Sequence, residues 1–170
     1  MSVLKGLLFA VFTTSLIGCA AIQSWSRPYQ EPLGDGLARL RVIINGTARL
    51  IPNSNCIAWD KPGTGSIASR VFALANDRTY NDRKLGIPAD HELINASEVY
   101  LQPNEPFVLL TTQGNQYLNV TFVPIPNSDY EFYLDCSGRN CYGVLENISM
   151  TDGESTLKRI PVKYVRAETC

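Results

Sequence analysis

Residues 40–51 read LRVIINGTARLI, two runs rich in β-branched residues on either side of Asn45-Gly46. Val, Ile and Thr favour strands because their branched side chains fit a pleated surface. Asn-Gly between two such runs is a strong hairpin signal, because a type I′ turn needs positive φ at both central residues. The stretch therefore predicts two paired strands joined by a tight turn. In that register Arg49 falls on the apolar face, so we expect either an edge position or a bulge there.

Similar runs recur along the rest of the chain and indicate an all-β protein. Alternating apolar and polar residues, or apolar runs bounded by turn residues, predict strands near residues 98–102, 107–112, 118–122, 130–135, 142–148 and 157–165. Pro, Gly, Asn and Asp occupy the intervals between them. About seven or eight strands at this spacing predict a single antiparallel β-sandwich over residues 35–170.

One long stretch, residues 52–97, interrupts the strand pattern and is predicted to be an irregular insertion. Its run at 66–76 fits either a short helix or a strand, and a polar, charged run follows it. Long irregular segments in compact domains are usually functional or disordered. We therefore expect a partner surface in this stretch, and the candidate residues are Trp59, Asp60, Arg78, Tyr80 and Arg83.

The N-terminal residues predict export from the cytoplasm. Lys5 and the α-amino group precede a twelve-residue apolar run, Gly6–Ile17. As a helix this run would span about 18 Å, well short of the roughly 30 Å hydrocarbon core of a bilayer. It therefore predicts a cleaved signal peptide at residues 1–18 rather than a permanent membrane helix.

The residues at the predicted cleavage point resemble the lipobox of bacterial lipoproteins. Leu16, Ile17 and Gly18 precede Cys19, whereas a plain secretory signal would end in an A-x-A-like site. The resemblance implies that Cys19 becomes the mature N-terminus and carries three acyl chains, which together anchor a protein stably. Ala20, where the family has aspartate for inner-membrane retention, implies the outer membrane, facing the periplasm, in a Gram-negative source. An ordinary secreted protein with a cysteine there by chance is the alternative.

Residues 19–34 are predicted to be the lipidated N-terminus and a flexible tether. They contain Pro28 and Pro32 and show no regular period. Trp25 and Tyr29 lie close to the predicted anchor, so we expect them either at the membrane interface or packed on the domain.

The cysteines indicate an oxidising compartment. Of five cysteines, Cys19 would be consumed by lipid, and the remaining four form an even set that an exported protein would oxidise. Cys136 and Cys141 flank four residues and would face each other across a hairpin, which leaves Cys56 to pair with Cys170. Pairing of Cys56 with Cys136 and of Cys141 with Cys170 is the main alternative. The spacings match no zinc pattern, so no metal is expected.

Residues that could carry chemistry are few, and no cofactor is expected. A net charge of −1 without a basic run gives no electrostatic footprint for nucleic acid. The single histidine, His91, lies between Asp90 and Glu92 and is most simply an exposed loop residue. It would favour a hydrolase only if the fold gathered it with other carboxylates. Arg39 and Arg41 project from one side of the first strand and are interpreted as a solvated face.

A broader resemblance covers most of the predicted mature chain. The IPNSNC and WDKPG motifs at residues 51–63, the stretch 122–130 and the closing Cys170 are similar to small uncharacterised bacterial lipoproteins with a prealbumin-like β-sandwich. This resemblance implies a fold and a location, and it implies no activity or catalytic residue.

These inferences together predict a lipid-anchored, non-catalytic envelope module that offers loops or an edge strand to a periplasmic protein partner. Two alternatives remain from the sequence. One is a secretion-system lipoprotein, or an immunity or inhibitor lipoprotein that blocks a toxic hydrolase. The other is a hydrolase that uses Asp, Glu or His91.

Overall fold

The structure, a computed structural model, describes residues 27–70, 79–137, 140–150 and 156–170, with 135–137 and 140 described through their backbone. Within these ranges the chain is all-β, as predicted, with ten strands rather than seven or eight. No helix in the described ranges could cross a bilayer. The strands are β1 (Ala38–Ile43), β2 (Thr47–Pro52), β3 (Gly65–Ser69), β4 (Ala96–Leu101), β5 (Phe107–Gln113), β6 (Gln116–Phe122), β7 (Asp129–Ser137), β8 (Asn140–Met150), β9 (Leu157–Pro161) and β10 (Val165–Arg166).

The strands form two five-stranded sheets that share one core. The first sheet has the order β4-β1-β7-β8-β9, and the second has the order β10-β6-β5-β2-β3. Apolar side chains from both sheets fill the space between them, among them Leu40, Val42, Val99 and Phe132 from the first sheet and Leu50, Leu109, Val120 and Phe122 from the second. Two sheets that face each other across a common core have the architecture of a β-sandwich.

The first sheet is mixed, so the prediction of a purely antiparallel sandwich is wrong in one pair. β1 runs parallel to β7, with Arg39 opposite Asp129 and Arg41 opposite Glu131. The remaining strand pairs of the described ranges are antiparallel. A parallel pair requires a long crossover connection, and here the chain from β2 to β6 supplies it.

The predicted hairpin at Asn45-Gly46 is also wrong. β1 lies between β4 and β7, and β2 lies between β3 and β5, so the two strands belong to different sheets. Asn45 and Gly46 carry the chain from one sheet to the other, and neither residue has a positive φ. Gly46 is required for a different reason, since a Cβ there would lie 1.9 Å from the Thr112 carbonyl oxygen. The pattern that suggested a turn reflects a close backbone approach.

The stretch 52–97 is more ordered than an irregular insertion. Its residues Gly65–Ser69 form β3, a fully buried strand that pairs with β2, so the strand alternative holds for the described start of the 66–76 run. Residues 71–76 of that run lie outside the described residues. The pairing of β3 with β2 has a register shift between Ala48 and Arg49. The bulge expected for Arg49 belonged to the β1–β2 hairpin, which does not form. Residues 79–95 directly precede β4, and we call them the strap.

The domain begins earlier than predicted. Pro28 forms a β-bridge with Ser66 of β3. Tyr29 is buried in the core, and this burial raises the pKa of its hydroxyl. The predicted tether over 19–34 is therefore wrong for Pro28 and Tyr29, which pack on the domain, and its residues 19–26 lie outside the described residues. The signal peptide, Cys19 and Trp25 fall in residues 1–26, which lie outside the described residues.

A disulfide joins Cys56 to the C-terminal Cys170, with 5.2 Å between their Cα atoms. This is the pairing that the sequence favoured. Cys141 is also disulfide-bonded, and the β7–β8 register places it directly opposite Cys136.

The Cys56–Cys170 disulfide holds the C-terminal residues 167–170 against the outer face of the second sheet. Beside it, the Ile57 N–H donates to the Glu168 carbonyl at 2.7 Å. A second apolar cluster lies beneath, separate from the core between the sheets, and consists of Ile51, Ile57, Val108, Leu110 and Ala167. The C-terminal residues therefore complete this cluster only while they stay close to Ile57.

The close approach at Gly46 predicts that alanine destabilises the protein more at this position than at Gly114. Gly46→Ala should lower the free energy of unfolding by about 3 kcal/mol, since the new methyl group meets backbone that cannot rotate away. Gly114→Ala is the control, because its Cβ meets nothing within 4 Å and only its φ of 59° opposes the change, at about 1 kcal/mol. Urea denaturation measures both values. An equal or smaller loss for Gly46→Ala would contradict this account of the crossing.

The disulfides predict a second measurable difference. Peptide mapping without reduction should recover a peptide that joins Cys136 to Cys141, and a peptide that joins Cys141 to Cys170 would overturn that pairing.

Replacing both Cys56 and Cys170 by alanine should lower the free energy of unfolding by about 4–5 kcal/mol, because this bridge closes a loop of more than a hundred residues. Replacing Cys136 and Cys141 should cost about 2 kcal/mol, since that loop is short.

Candidate functional site

The outer face of the first sheet carries a buried cluster of charged side chains. Arg41 on β1 is 1% exposed, and Glu98 on β4 and Glu131 on β7 are each 2% exposed. The Arg41 Nε donates to Glu98 Oε1 at 2.8 Å, and its Nη1 donates to Glu131 Oε2 at 2.7 Å. The register produces this arrangement, because β1 has β4 on one side with Glu98 opposite Arg41 and β7 on the other with Glu131 opposite Arg41.

These buried charges bind the backbone of the strap. Arg41 donates through Nη1 to the Pro88 carbonyl at 3.0 Å and through Nη2 to the Ile87 carbonyl. Glu98 Oε2 accepts hydrogen bonds from the N–H groups of Leu85 and Ile87. The strap forms no strand, so these side chains satisfy backbone groups that a sheet ladder would otherwise satisfy.

Arg39, two residues before Arg41 on β1, makes a similar set of contacts. Its Nε and Nη2 donate to the two carboxylate oxygens of Asp129 at 2.6 Å each, and its Nη1 donates to the Leu85 carbonyl at 2.9 Å. The hydrogen bonds to Asp129 raise the pKa of Arg39. The strap is therefore held by two arginines of a single strand.

The strap also covers the free edge of β4. The Asp82 N–H donates to the Ala96 carbonyl at 3.0 Å, and the Glu98 N–H donates to the Arg83 carbonyl at 3.1 Å. An open edge strand presents unpaired backbone groups to any other chain. The same segment thus covers both the face and the edge of the first sheet at this point.

Arg159 on β9 extends the buried cluster toward solvent. Its Nη1 donates to Glu131 Oε1 at 2.6 Å and to Glu146 Oε2 at 3.0 Å, and its Nη2 lies 3.4 Å from Asp90 Oδ1 on the strap. Partial burial disfavours the charged guanidinium, but the hydrogen bonds to Glu131 and Glu146 raise the pKa of Arg159 above its ordinary value. We use the name charge cluster for Arg41, Asp90, Glu98, Glu131, Glu146 and Arg159.

A groove of about 540 Å³ opens where the charge cluster reaches solvent, between the end of the strap and the first sheet. We call it the strap groove. Its polar lining includes Asp90, His91, Glu131, Glu146 and Arg159, and its apolar lining includes Ile43, Ile94 and Tyr133. His91 is exposed, and its Nδ1 lies 2.5 Å from Asp90 Oδ1. That hydrogen bond lowers the pKa of Asp90.

The groove gathers His91 with Asp90, Glu131 and Glu146, the kind of grouping that would favour a hydrolase. The carboxylates are engaged otherwise, however. Both oxygens of Glu131 accept from arginines, and Glu146 accepts from Arg159. A general base needs a lone pair directed at the proton that it removes. Glu131 and Glu146 are therefore counter-ions of Arg41 and Arg159, and only Asp90 contacts His91 among the hydrogen bonds of the described residues.

Two residues of the predicted partner surface, Trp59 and Asp60, are exposed. They lie three and four residues after Cys56, in a turn where the Lys61 N–H donates to the Ala58 carbonyl at 3.2 Å. Arg78 lies outside the described residues.

The other two, Tyr80 and Arg83, belong to the strap and bind the first described residues of the chain. The Tyr80 hydroxyl donates to the Tyr29 carbonyl at 2.7 Å, and Arg83 Nη1 lies 2.8 Å from Glu31 Oε2. The Arg83 guanidinium also lies 5.1 Å from the centre of the Tyr80 ring, within cation–π range. Both side chains attach the strap to the domain.

The interpretation of Arg39 and Arg41 as a solvated face is wrong for Arg41, which the strap buries, whereas the Arg39 side chain stays 31% exposed. Alternation places them correctly on the outer face of β1, but it cannot show that a distant segment lies on that face. One feature of the sequence could have indicated which strand lies beside these arginines. Arg39 and Arg41 have the same two-residue spacing as Asp129 and Glu131, which fits a neighbouring strand in register.

The chain matches no known protein family, and no characterised protein or solved structure is significantly similar to it. Among the described residues, no group of three or more His, Cys, Asp or Glu side chains is placed to hold a metal ion. The strap groove and the charge cluster are therefore assigned from geometry.

The buried position of Arg41 predicts a large, charge-dependent loss of stability. Arg41→Met should lower the free energy of unfolding by about 3–5 kcal/mol, because Glu98 stays buried without its guanidinium partner and Glu131 keeps only Arg159. Arg39→Met is the matched control and should cost about 1 kcal/mol, since its ion pair is partly exposed.

Adding Glu98→Gln to Arg41→Met should restore part of the stability, because it removes one of the uncompensated charges. Urea denaturation at neutral pH measures all three variants. A loss for Arg41→Met no larger than that for Arg39→Met, or no recovery in the double variant, would contradict the role of buried charge.

Proposed function

We propose that this protein is a lipid-anchored module of the bacterial envelope, held at the outer membrane on its periplasmic side, that binds another protein without catalysing a reaction. The observation that carries the proposal is the Leu16-Ile17-Gly18-Cys19 stretch a few residues ahead of a two-sheet domain. Acylation of Cys19 would fix the domain to a membrane through several chains, which dissociate far more slowly than one.

The Cys56–Cys170 disulfide supports an exported location. Thiols in a bacterial cytoplasm are kept reduced, whereas disulfides form and persist in the periplasm. The prealbumin-like classification belongs to the same proposal, and the two-layer all-β architecture supports it at the level of architecture.

The distance between anchor and fold would orient the domain. Arg27 is the eighth residue after Cys19, and eight steps of extended chain span at most about 28 Å. The Arg27 carbonyl accepts from the Ser66 N–H at 2.8 Å, so the domain is fixed to the chain at that point. This side of the domain would therefore stay close to the bilayer.

Replacing the predicted acylation site tests the anchor. Cys19→Ala should abolish incorporation of labelled palmitate and move the protein out of the detergent-rich phase on Triton X-114 partition, since the thiol that accepts the lipid is gone. The double variant Cys56→Ala/Cys170→Ala is the control, because it also removes cysteines but should keep the label. Label retained by Cys19→Ala would contradict the proposal.

A further inference from the structure

We infer that the strap groove is a docking site for a lysine or arginine side chain presented by a partner protein. That the partner is a protein rests on the proposed function. The inference adds the chemistry by which that partner is recognised. The groove is defined by residues of the described domain, so it can be tested separately from the anchor.

Charge complementarity is the first argument for a cationic occupant. The charge cluster joins two guanidinium groups, Arg41 and Arg159, to four carboxylates, Asp90, Glu98, Glu131 and Glu146. With these six groups charged, the charge cluster holds two more negative charges than positive ones. Partly desolvated charge without a counter-charge is unfavourable, and a cation entering the groove would offset that cost.

The uncompensated carboxylates are those that line the groove. Glu98 lies beneath the strap, and both oxygens of Glu131 already accept from arginines. Glu146 uses one oxygen for Arg159, and its other oxygen has no hydrogen-bond partner within the described part of the chain. Asp90 is about half exposed at the rim. Arg159 already contacts both carboxylates, through Nη1 and Nη2. An incoming ammonium or guanidinium group would therefore bind beside Arg159, at the oxygens of Glu146 and Asp90 that it leaves free.

The apolar wall matches the stem of a long basic side chain. Ile94 on the strap is 74% exposed although it lines the groove, together with Ile43 and the ring of Tyr133. Lysine and arginine cover apolar surface with their methylene groups while their charged ends reach polar partners. One occupant of this kind would cover Ile94 and neutralise Glu146 at the same time. A volume of about 540 Å³ also leaves room for residues that flank the basic side chain.

The walls of the groove are held in place before any partner arrives. Arg41 binds the Ile87 and Pro88 carbonyls, and Arg159 contacts Asp90 on the strap. A preformed site loses little conformational entropy on binding, so a modest set of contacts can yield measurable affinity.

Isothermal titration calorimetry with three short peptides tests the inference. The probes are Ac-Ala-Leu-Lys-Leu-Ala-NH₂ and its glutamine and glutamate counterparts, titrated into the protein as purified in detergent from the producing cells. We expect the lysine peptide to bind saturably and the glutamine peptide to bind about tenfold more weakly or not at all, because only the ammonium group pairs with Glu146 and Asp90.

Variants locate the binding on the molecule. Asp90→Asn/Glu146→Gln should weaken binding of the lysine peptide about tenfold. Glu105→Gln removes an exposed carboxylate between β4 and β5, outside the groove, and should leave binding unchanged. Ile94→Ser, at a position too exposed to affect folding strongly, should weaken it as well. The denaturation midpoint of each variant shows whether its fold is intact.

Three results would overturn the inference: no saturable binding of the lysine peptide, equal or tighter binding of the glutamine or glutamate peptide, or unchanged affinity in the folded Asp90→Asn/Glu146→Gln variant. The anchor is judged by palmitate labelling of the same preparation. If the protein is labelled with palmitate but does not bind the lysine peptide, only the inference about the groove is contradicted. If it is unlabelled but binds the peptide, only the proposed anchor is contradicted.

Discussion

A buried arginine between two buried glutamates is the constraint on which the first sheet depends. Arg41 cannot lose its charge, so it stays inside the protein only with carboxylates and backbone carbonyls around it. Glu98 and Glu131 supply the carboxylates, and the strap supplies the carbonyls and excludes water. Each part requires the others. Without the strap the charges would be solvated, and without the charges the strap's backbone groups would lack partners.

The two outer faces of the sandwich are covered by different physical means. Ion pairs and hydrogen bonds hold the strap on the first sheet, whereas apolar contacts and the Cys56–Cys170 disulfide hold the C-terminal residues on the second. The charged side ends in the strap groove, because Arg159 brings the charge cluster out to Glu146 and Asp90 at the surface. A cleft of similar volume, about 530 Å³, opens beside the disulfide and is lined by Cys56, Lys61 and Cys170 among others. The strap groove is the one that we propose as a binding site, because the charge cluster lines it.

The sequence predicted the elements better than their arrangement. Apolar alternation located most strands, and the buried run in β5 was recognised because it is apolar on both faces. The hairpin failed because a short-range signal, Asn45-Gly46, also fits a crossing between sheets. The charge cluster was missed because burial of Arg41 depends on the strap, which lies more than forty residues away in the chain. Local patterns do not contain such long-range contacts, although the matched spacing of Arg39 and Arg41 with Asp129 and Glu131 hinted at them.

Amide hydrogen exchange at Leu85 and Ile87, followed by NMR, tests most directly whether buried charge holds the strap. Both N–H groups donate to Glu98 in a segment without regular secondary structure. The account predicts that they exchange as slowly as the paired amides of β1 and β7, because exposing them requires breaking the charge cluster. Exchange as fast as that of Gly114 and Asn115, in the exposed β5–β6 turn, would contradict it.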